Sequence, residues 1–246
     1  MNQISRLPLF TAFFLGLILL ACMPDEPAPT PDPEPVPVDT LIEEAALSYL
    51  ALGDSYTIGE SVGTNLRWPV QLKDSLVAQG VDMEAPRIIA RTGWTTGQLA
   101  SAIGNAQELQ ESYDLVSLLI GVNNQYRRND FSVYEKEFPE LLLWALSLAD
   151  GDTNRVIVLS IPDYSVTPFG ASGDQERVAR EIDEYNAYAK KETESRGISF
   201  YDITPISREA ADKPDLVAND GLHPSGSMYT RWVELIRKDV QRKLED

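Results

Sequence analysis

Five short apolar runs occur along the chain, and a longer segment with a different pattern follows each of them. A short continuous apolar run bounded by turn residues is typical of a strand that is covered on both faces of a sheet. The pattern therefore predicts five strands, at Ser48–Leu52, Arg87–Ala90, Asp114–Ile120, Arg155–Ile161 and Ile198–Tyr201.

The segments that follow these runs place apolar residues at helical spacing. Strands that alternate with helices indicate an α/β fold, with a parallel sheet and helices on both of its faces. The length of this region, residues 45–246, suits one domain. The predicted helices are Leu66–Gln79, Gln98–Leu109, Tyr134–Leu148, Gln175–Arg196 and Ser225–Leu244.

Residues that could carry chemistry stand where the predicted strands end. In an open parallel sheet, ligands bind outside the carboxyl ends of the strands. Side chains that follow different strands can therefore meet at one edge of the sheet. The residues at this edge are Ser55 after the first strand, Gly93 after the second, Asn123 after the third, and Asp220 and His223 after the fifth.

His223 is the only histidine among the 246 residues. A serine hydroxyl becomes a good nucleophile when a base takes its proton, and histidine suits this task because its unperturbed pKa is about 6.5. A carboxylate on the other ring nitrogen would fix the tautomer, and Asp220 precedes His223 by only three residues. Ser55, His223 and Asp220 are therefore candidates for nucleophile, base and orienting carboxylate. The alternative is that His223 is a loop residue without a catalytic role.

Acyl transfer also requires hydrogen-bond donors that point at the oxygen on which negative charge develops. Three donors fall at the predicted edge: the backbone N–H groups of Ser55 and Gly93, and the side-chain amide of Asn123. Gly93 is preferred to Gly97 because Gly93 directly follows the strand, whereas Gly97 is expected at the start of a helix. Taken alone, Gly93 and Asn123 could equally be turn or cap residues.

These residues, taken in chain order, resemble the four sequence blocks of the SGNH/GDSL hydrolase family. The blocks span nearly the whole predicted domain, which makes the resemblance specific although each block alone is weak. They are Gly53-Asp54-Ser55, Gly93, Gly121-Val122-Asn123 and Asp220-Gly221-Leu222-His223.

The resemblance implies a flavodoxin-like three-layer α/β/α sandwich with a five-stranded parallel sheet. It implies Ser55 as nucleophile, His223 as base and Asp220 as its partner, with an oxyanion hole formed by Ser55, Gly93 and Asn123. It implies no metal and no organic cofactor. One position departs from the commonest pattern, because Asn124 stands where the family often has aspartate. We expect this difference to affect the rate rather than the chemistry.

Three aromatic residues follow the second, third and fourth predicted strands: Trp94, Tyr126 and Tyr164. They could line a pocket for an acyl or sugar group, and packing in the core is the alternative. Arg127 and Arg128 form a small basic spot beside the predicted oxyanion hole. They could meet an anionic group of the substrate, although pairing with the protein's own carboxylates is favoured.

Two loops have distinctive compositions. Residues 163–174 contain proline and glycine, which predicts a mobile loop that covers the site. Asp150–Asn154 has the opening rhythm of a calcium-binding loop but lacks the glycine and the glutamate that should follow. We therefore expect a solvated turn there.

The first part of the chain has the pattern of an export signal. A single positive charge, Arg6, precedes the apolar run Leu9–Leu20, and residues 19–22 read Leu-Leu-Ala-Cys. This ending resembles a bacterial lipobox, in which the cysteine receives lipid, so we expect a signal peptide at 1–21 and lipidation of Cys22. An ordinary signal peptide is the alternative. Residues 22–44 would be a tether, because Met23–Asp39 contains seven prolines, five acidic residues and no basic residue.

The formal net charge of −17 argues against nucleic acid and against anionic membrane surfaces as partners. From the family resemblance and the export signal together, we expect a monomeric serine esterase of the bacterial cell envelope, attached to the membrane through lipid on Cys22. Its substrate would be a small-molecule or glycan ester, for example an O-acetyl group. The alternatives are a non-catalytic glycan-binding protein on the same fold, and a lysophospholipase or thioesterase of the same family.

Overall fold

A computed structural model of the chain describes residues 45–245. The predicted signal peptide, the predicted lipidation site Cys22 and the predicted tether at 22–44 lie outside the described residues. Those expectations stay predictions from the sequence.

The five predicted strands form one parallel sheet, in the order β2-β1-β3-β4-β5. This order is that of the flavodoxin-like folds, so the predicted fold class is confirmed. The bounds of the strands are β1 Tyr49–Asp54, β2 Arg87–Arg91, β3 Leu115–Leu119, β4 Val156–Leu159 and β5 Ser199–Tyr201.

Burial of the strands follows their place in the sheet. Every residue of β1, β3 and β4 is buried, because helices cover both faces of the sheet centre. The residues of β2 and β5 are only partly buried or exposed, since these strands form the two edges. The continuous apolar runs of the sequence thus mark the central strands most clearly.

The five predicted long helices are present, with bounds that differ from the prediction by a few residues. Helix α2 begins one residue before Pro69, so the proline stands in the first turn. A backbone N–H at this place would have no partner within the helix, and proline is therefore tolerated there. The helices are α1 Ser55–Ile58, α2 Trp68–Val77, α3 Thr96–Gly104, α4 Val122–Tyr126, α5 Phe131–Ser147, α6 Gln175–Glu194, α7 Thr204–Arg208 and α8 Gly226–Glu245. Short 3-10 turns occur at Thr64–Leu66, Thr153–Arg155, Gly170–Ser172, Glu209–Ala211 and Pro214–Leu216.

The long helices form two groups around the sheet. Helix α2 packs on α8, and α5 packs on both α3 and α6. Each helix turns an apolar stripe inward; α8, for example, buries Met228, Trp232, Ile236 and Val240 at intervals of four residues. None of the helices within residues 45–245 combines the length and the apolar character that crossing a membrane requires.

Three short helices, α1, α4 and α7, were not predicted. Helix α1 starts at the residue after β1 ends, and α4 starts three residues after β3 ends. These helices carry Ser55 and Asn123, so the candidate chemistry sits on strand-to-helix junctions rather than on open loops.

Gly53 is required by the close approach of β1 to its surroundings. A Cβ atom at this position would lie 2.2 Å from Thr57 Oγ1 and 2.5 Å from the carbonyl oxygen of Leu119 on the adjacent strand. Because the second of these atoms belongs to the backbone, a side-chain rotation cannot relieve the overlap. We expect Gly53→Ala to lower the free energy of unfolding by about 3 kcal/mol, as measured by urea denaturation.

Gly104→Ala is the matched control. Gly104 ends α3, and a Cβ atom there would meet only the Trp144 ring, at 3.9 Å. We expect this variant to be as stable as the wild type or slightly more so, since alanine favours a helix over glycine. Equal urea midpoints for the Gly53 variant and the wild type would contradict the argument.

Candidate active site

Ser55 lies at the junction of β1 and α1. The side chain of Asp54 accepts a hydrogen bond from the backbone N–H of Tyr56 at 3.0 Å and caps the helix. Ser55 is largely buried, yet it lines a cavity at the carboxyl edge of the sheet. The junction thereby fixes the serine at the edge where the sequence places it.

Asp220 and His223 form a compact pair in the loop before α8. Asp220 Oδ1 accepts hydrogen bonds from the backbone N–H groups of Leu222, at 2.9 Å, and of His223, at 3.0 Å. Asp220 Oδ2 lies 2.6 Å from His223 Nδ1. Because the carboxylate engages Nδ1, Nε2 is the ring nitrogen that remains to serve as a base.

The surroundings keep Asp220 ionised. Partial burial raises the pKa of Asp220, but hydrogen bonds from Ser61, from the His223 ring and from the two backbone N–H groups outweigh this effect. The net result is a pKa well below the usual value of a carboxyl group. Asp220 is therefore ionised throughout the neutral range, and it can accept a hydrogen bond from the Nδ1–H group of His223.

Ser55 and His223 line the same cavity. The ring of His223 stands 5.5 Å from that of Tyr56, the residue after Ser55, centroid to centroid. In the described part of the chain no hydrogen bond joins Ser55 Oγ to the His223 ring. Such bonds are often long without substrate and tighten in the complex.

Two residues of α4 hold the loop that follows β2. Asn123 Nδ2 donates a hydrogen bond to the carbonyl oxygen of Trp94 at 3.1 Å, and Arg127 Nη2 donates one to the carbonyl oxygen of Gly93 at 2.5 Å. These side chains are four residues apart, so they project from the same face of the short helix. The backbone of Gly93, with φ of +83°, is thereby fixed beside the Asn123 amide. The loop and the helix present their donors to one cavity.

Asn124 ties α4 to the start of α3. Its Oδ1 accepts a hydrogen bond from the backbone N–H of Thr96 at 3.0 Å, and its Nδ2 donates to Thr96 Oγ1 at 2.7 Å. The hydroxyl of Thr96 in turn donates to Glu137 on α5. Asn124 is fully buried and does not line the cavity, which fits a supporting place for this position.

The cavity has a volume of about 320 Å³ and a largely aromatic rim. Tyr126 is 54% exposed, and its ring lies edge-on to Tyr164, with centroids 6.1 Å apart. Phe169 completes the cluster, 5.9 Å from Tyr126. The full lining consists of Ser55, Tyr56, Thr92, Gly93, Val122, Asn123, Tyr126, Tyr164, Phe169, Leu222 and His223.

Trp94 does not line this cavity, so its prediction as a pocket residue is wrong. The backbone N–H of Trp94 donates to the carbonyl oxygen of Arg91 at 3.2 Å and closes a turn in which Gly93 has positive φ. This turn redirects the chain, and the indole ring packs against the hydrophobic core. Only the carbonyl oxygen of Trp94 contributes to the site, through Asn123.

The favoured interpretation of Arg127 and Arg128, pairing with the protein's own carboxylates, does not hold in the described residues. Within residues 45–245 neither side chain forms an ion pair with a carboxylate. Arg127 instead binds the Gly93 carbonyl, while Arg128 lines an adjoining cavity of about 220 Å³ that shares the aromatic rim. The first of these arginines therefore supports the loop of the candidate oxyanion hole.

The first part of the segment 163–174 is buried, whereas most of residues 168–174 are exposed. Asp163, Ser165 and Thr167 are buried, and the Thr167 hydroxyl donates to the carbonyl oxygen of Tyr164 at 2.7 Å. A Cβ atom at Gly170 would lie 2.1 Å from that carbonyl oxygen. The glycine thus permits close packing at this point, and the mobility of the segment stays a prediction. The segment forms a wall of the cavity through Tyr164 and Phe169.

Asp54 is a buried ionisable residue that sequence reasoning passed over. Its complete burial raises the pKa of Asp54 to about 7, although hydrogen bonds from Tyr56 N–H and Asn123 Nδ2 act in the opposite direction. Asn123 Nδ2 lies 3.4 Å from Asp54 Oδ2. Asp54 therefore changes its charge near neutral pH, directly beside the candidate site.

Sequence reasoning also missed Ser61 and several lining residues. The side chains of Val122, Phe169 and Leu222 carry no polar group that would mark them, and Ser61 is 159 residues from its partner Asp220. Asp54 and Tyr56, by contrast, flank Ser55 in the sequence, so their neighbourhood was a usable signal.

The acidic segment Asp150–Asn154 forms the predicted turn. Gly151 has φ of +77°, and Asp152 accepts a hydrogen bond from the backbone N–H of Asn154 at 2.8 Å. Within residues 45–245, no group of three or more histidine, cysteine, aspartate or glutamate side chains is arranged to hold a metal ion.

Solved structures with the same fold include several esterases. TesA is 15% identical, with a TM-score of 0.63, over 80% of this chain and 99% of its own. The psychrotrophic esterase EstA from Pseudoalteromonas sp., inhibited by monoethylphosphonate, is 17% identical, with a TM-score of 0.61, over 81% and 99%. A variant of Axe2, an acetyl xylan esterase from Geobacillus stearothermophilus, is 20% identical, with a TM-score of 0.59, over 79% and 94%. At these identities the likeness establishes the fold.

The family follows from the sequence. No curated protein matches the chain significantly. The sequence model of the GDSL-like lipase/acylhydrolase family matches residues 51–231, which include Ser55, Gly93, Asn123, Asp220 and His223. The chain therefore belongs to the GDSL-like lipase/acylhydrolase family and is an ester hydrolase of the SGNH type.

Proposed function

We propose that the chain is a serine esterase with Ser55 as nucleophile, His223 as general base and Asp220 as the orienting carboxylate. The observation that carries this proposal is the convergence of Ser55, Gly93, Asn123 and His223 on one cavity, with His223 Nδ1 2.6 Å from Asp220 Oδ2. Ser55, Gly93 and Asn123 follow three different strands, and the loop before α8 supplies His223.

The reaction proceeds through an acyl-enzyme. Ser55 Oγ attacks the ester carbonyl carbon while His223 Nε2 takes the hydroxyl proton. The backbone N–H groups of Ser55 and Gly93 and the amide of Asn123 stabilise the oxyanion. His223 then gives its proton to the leaving alcohol. In the second half, His223 takes a proton from water, the hydroxide attacks the acyl carbon, and Ser55 leaves with the returned proton.

We propose short acyl esters as the substrates, including O-acetyl groups of glycans. A cavity of about 320 Å³ accommodates a small acyl group, and the exposed rings of Tyr126 and Phe169 offer apolar faces to the alcohol part. Axe2, an acetyl xylan esterase, has the same fold. Attachment to the cell envelope through lipid on Cys22 belongs to the same proposal and rests on the sequence alone.

A fluorophosphonate probe tests the nucleophile. Such a probe forms a covalent bond with an activated serine, so we expect one adduct per chain, located on Ser55 by peptide mass spectrometry. Ser55→Ala should stay unlabelled. Ser101→Ala is the matched control, since Ser101 is exposed on α3 and does not line the cavity. An adduct on another serine, or none, would contradict the assignment.

A further inference from the structure

The carboxylate of Asp220 has a second side-chain partner besides His223. Ser61 Oγ donates a hydrogen bond to Asp220 Oδ2 at 2.6 Å, and the same oxygen lies 2.6 Å from His223 Nδ1. Asp220 Oδ1 is occupied by backbone N–H groups. In the described chain, Ser61 and His223 are the two side chains that hold this carboxylate.

The backbone around Ser61 is held in an unusual conformation. Ser61 has φ of +65°, a region that residues with a side chain rarely adopt. Gly59, two residues earlier, caps the C-terminus of α1 with φ of +66°, and the backbone N–H of Glu60 donates to the carbonyl oxygen of Ser55 at 3.0 Å. The position of the Ser61 hydroxyl is thus imposed by the turn that follows the nucleophile helix.

The same turn also contacts the loop that follows β2. The carboxylate of Glu60 accepts a hydrogen bond from the Thr92 hydroxyl, and Thr92 precedes Gly93. Neighbouring residues therefore connect the helix that begins at Ser55 with the Gly93 loop on one side and with Asp220 on the other. The turn links three parts of the site that lie far apart in the sequence.

We propose that Ser61 is a positioning residue of the active site, whose hydroxyl fixes the Asp220 carboxylate in the orientation that holds the His223 ring. The proposal rests on the proposed roles of Asp220 and His223. Ser61 does not line the cavity, and its hydroxyl contacts Asp220, so the role that we propose is exerted through Asp220.

The Ser61 hydroxyl also stabilises the negative charge of Asp220. A hydrogen bond to a carboxylate stabilises its ionised form, and Ser61 helps to hold the pKa of Asp220 low against the effect of burial. Without this bond, the carboxylate would attract the imidazolium more strongly, so His223 would keep its proton to higher pH. The ring of Tyr56 lies 5.5 Å from that of His223, and Asp220 interacts electrostatically with both Tyr56 and Tyr229. The other ionisable groups that interact with these two tyrosines are Asp54, Glu60, Asp163 and Tyr164.

The sole histidine of the chain makes this effect directly measurable. A nuclear magnetic resonance titration of the imidazole carbon-bound protons reports His223 without further assignment, and it requires no substrate. We expect the titration midpoint to rise by roughly half a pH unit in both Ser61→Ala and Ser61→Gly, and kcat to fall roughly fivefold with KM unchanged.

The two variants separate the hydroxyl from the backbone. Both variants lose the hydroxyl. Glycine adopts φ of +65° without steric cost, whereas alanine keeps the backbone strain of the wild type. Equal midpoints in the two variants, both above that of the wild type, would support the proposal. Midpoints unchanged from the wild type, or a shift in the alanine variant alone, would overturn it.

Loss of turnover in Ser55→Ala tests the proposed function separately. If Ser55→Ala loses activity but the His223 titration midpoint is the same in the Ser61 variants as in the wild type, only the proposed role of Ser61 is wrong. If Ser55→Ala keeps its activity, the proposed function fails and the positioning role falls with it.

Discussion

Ser55→Ala is expected to lower kcat for p-nitrophenyl acetate by at least about a thousandfold, because the variant lacks the hydroxyl that is proposed to form the acyl-enzyme. All three proposed oxyanion donors would remain, namely the backbone N–H groups at positions 55 and 93 and the amide of Asn123, so a small residual rate above that of water is expected. KM should change little, since the side chain is small and binds the substrate only weakly before reaction.

The same substitution should leave the fold intact. The helix cap at this junction comes from Asp54, not from Ser55, and alanine is well tolerated in a helix. We expect a midpoint of thermal unfolding, followed by circular dichroism, within a few degrees of that of the wild type. Unfolding of the variant would make Ser55 structural, and retained turnover would remove it as the nucleophile.

The pH dependence of the wild type alone would not identify the base. A base such as His223 must be neutral, so the rate should rise with pH, but burial also places the pKa of Asp54 at about 7. Asp54 becomes charged over the same range, next to Asn123. Variants are therefore needed to assign the profile.

Sequence patterns predicted the sheet well for a physical reason. The strands β1, β3 and β4 are covered on both faces, so their residues are apolar without interruption. The helices α1 and α4 contain four and five residues, too few to show a helical period, and were missed. Because these two helices carry Ser55 and Asn123, the precise placement of the site could not be predicted.

The place of Trp94 depends on tertiary packing. The sequence left a pocket position and core packing open for this residue, and the indole ring packs against the hydrophobic core, after a turn in which Gly93 has positive φ. In the segment 163–174, Gly170 allows the backbone at Tyr164 to approach closely. Local composition does not distinguish a glycine that permits close packing from one that permits mobility.

Asp220→Asn is expected to lower kcat by about 10³- to 10⁴-fold, the size of effect known for the orienting aspartate of serine hydrolase triads. The asparagine Oδ1 could still accept the backbone hydrogen bonds of Leu222 and His223, so the loop should keep its shape. Its Nδ2 would be a donor where Oδ2 now faces His223 Nδ1. The ring would then accept at Nδ1 and carry its proton on Nε2, where it cannot take the proton of Ser55.

Asp212→Asn is the matched control for this prediction. It removes the same charge from an exposed residue of the preceding segment, away from the cavity. We expect steady-state hydrolysis of p-nitrophenyl acetate to match the wild type in the control and to be nearly lost in the Asp220 variant, with similar circular dichroism spectra for all three proteins. A loss below about tenfold for Asp220→Asn would mean that the carboxylate does not set the tautomer, and that the backbone of the loop positions His223 without it.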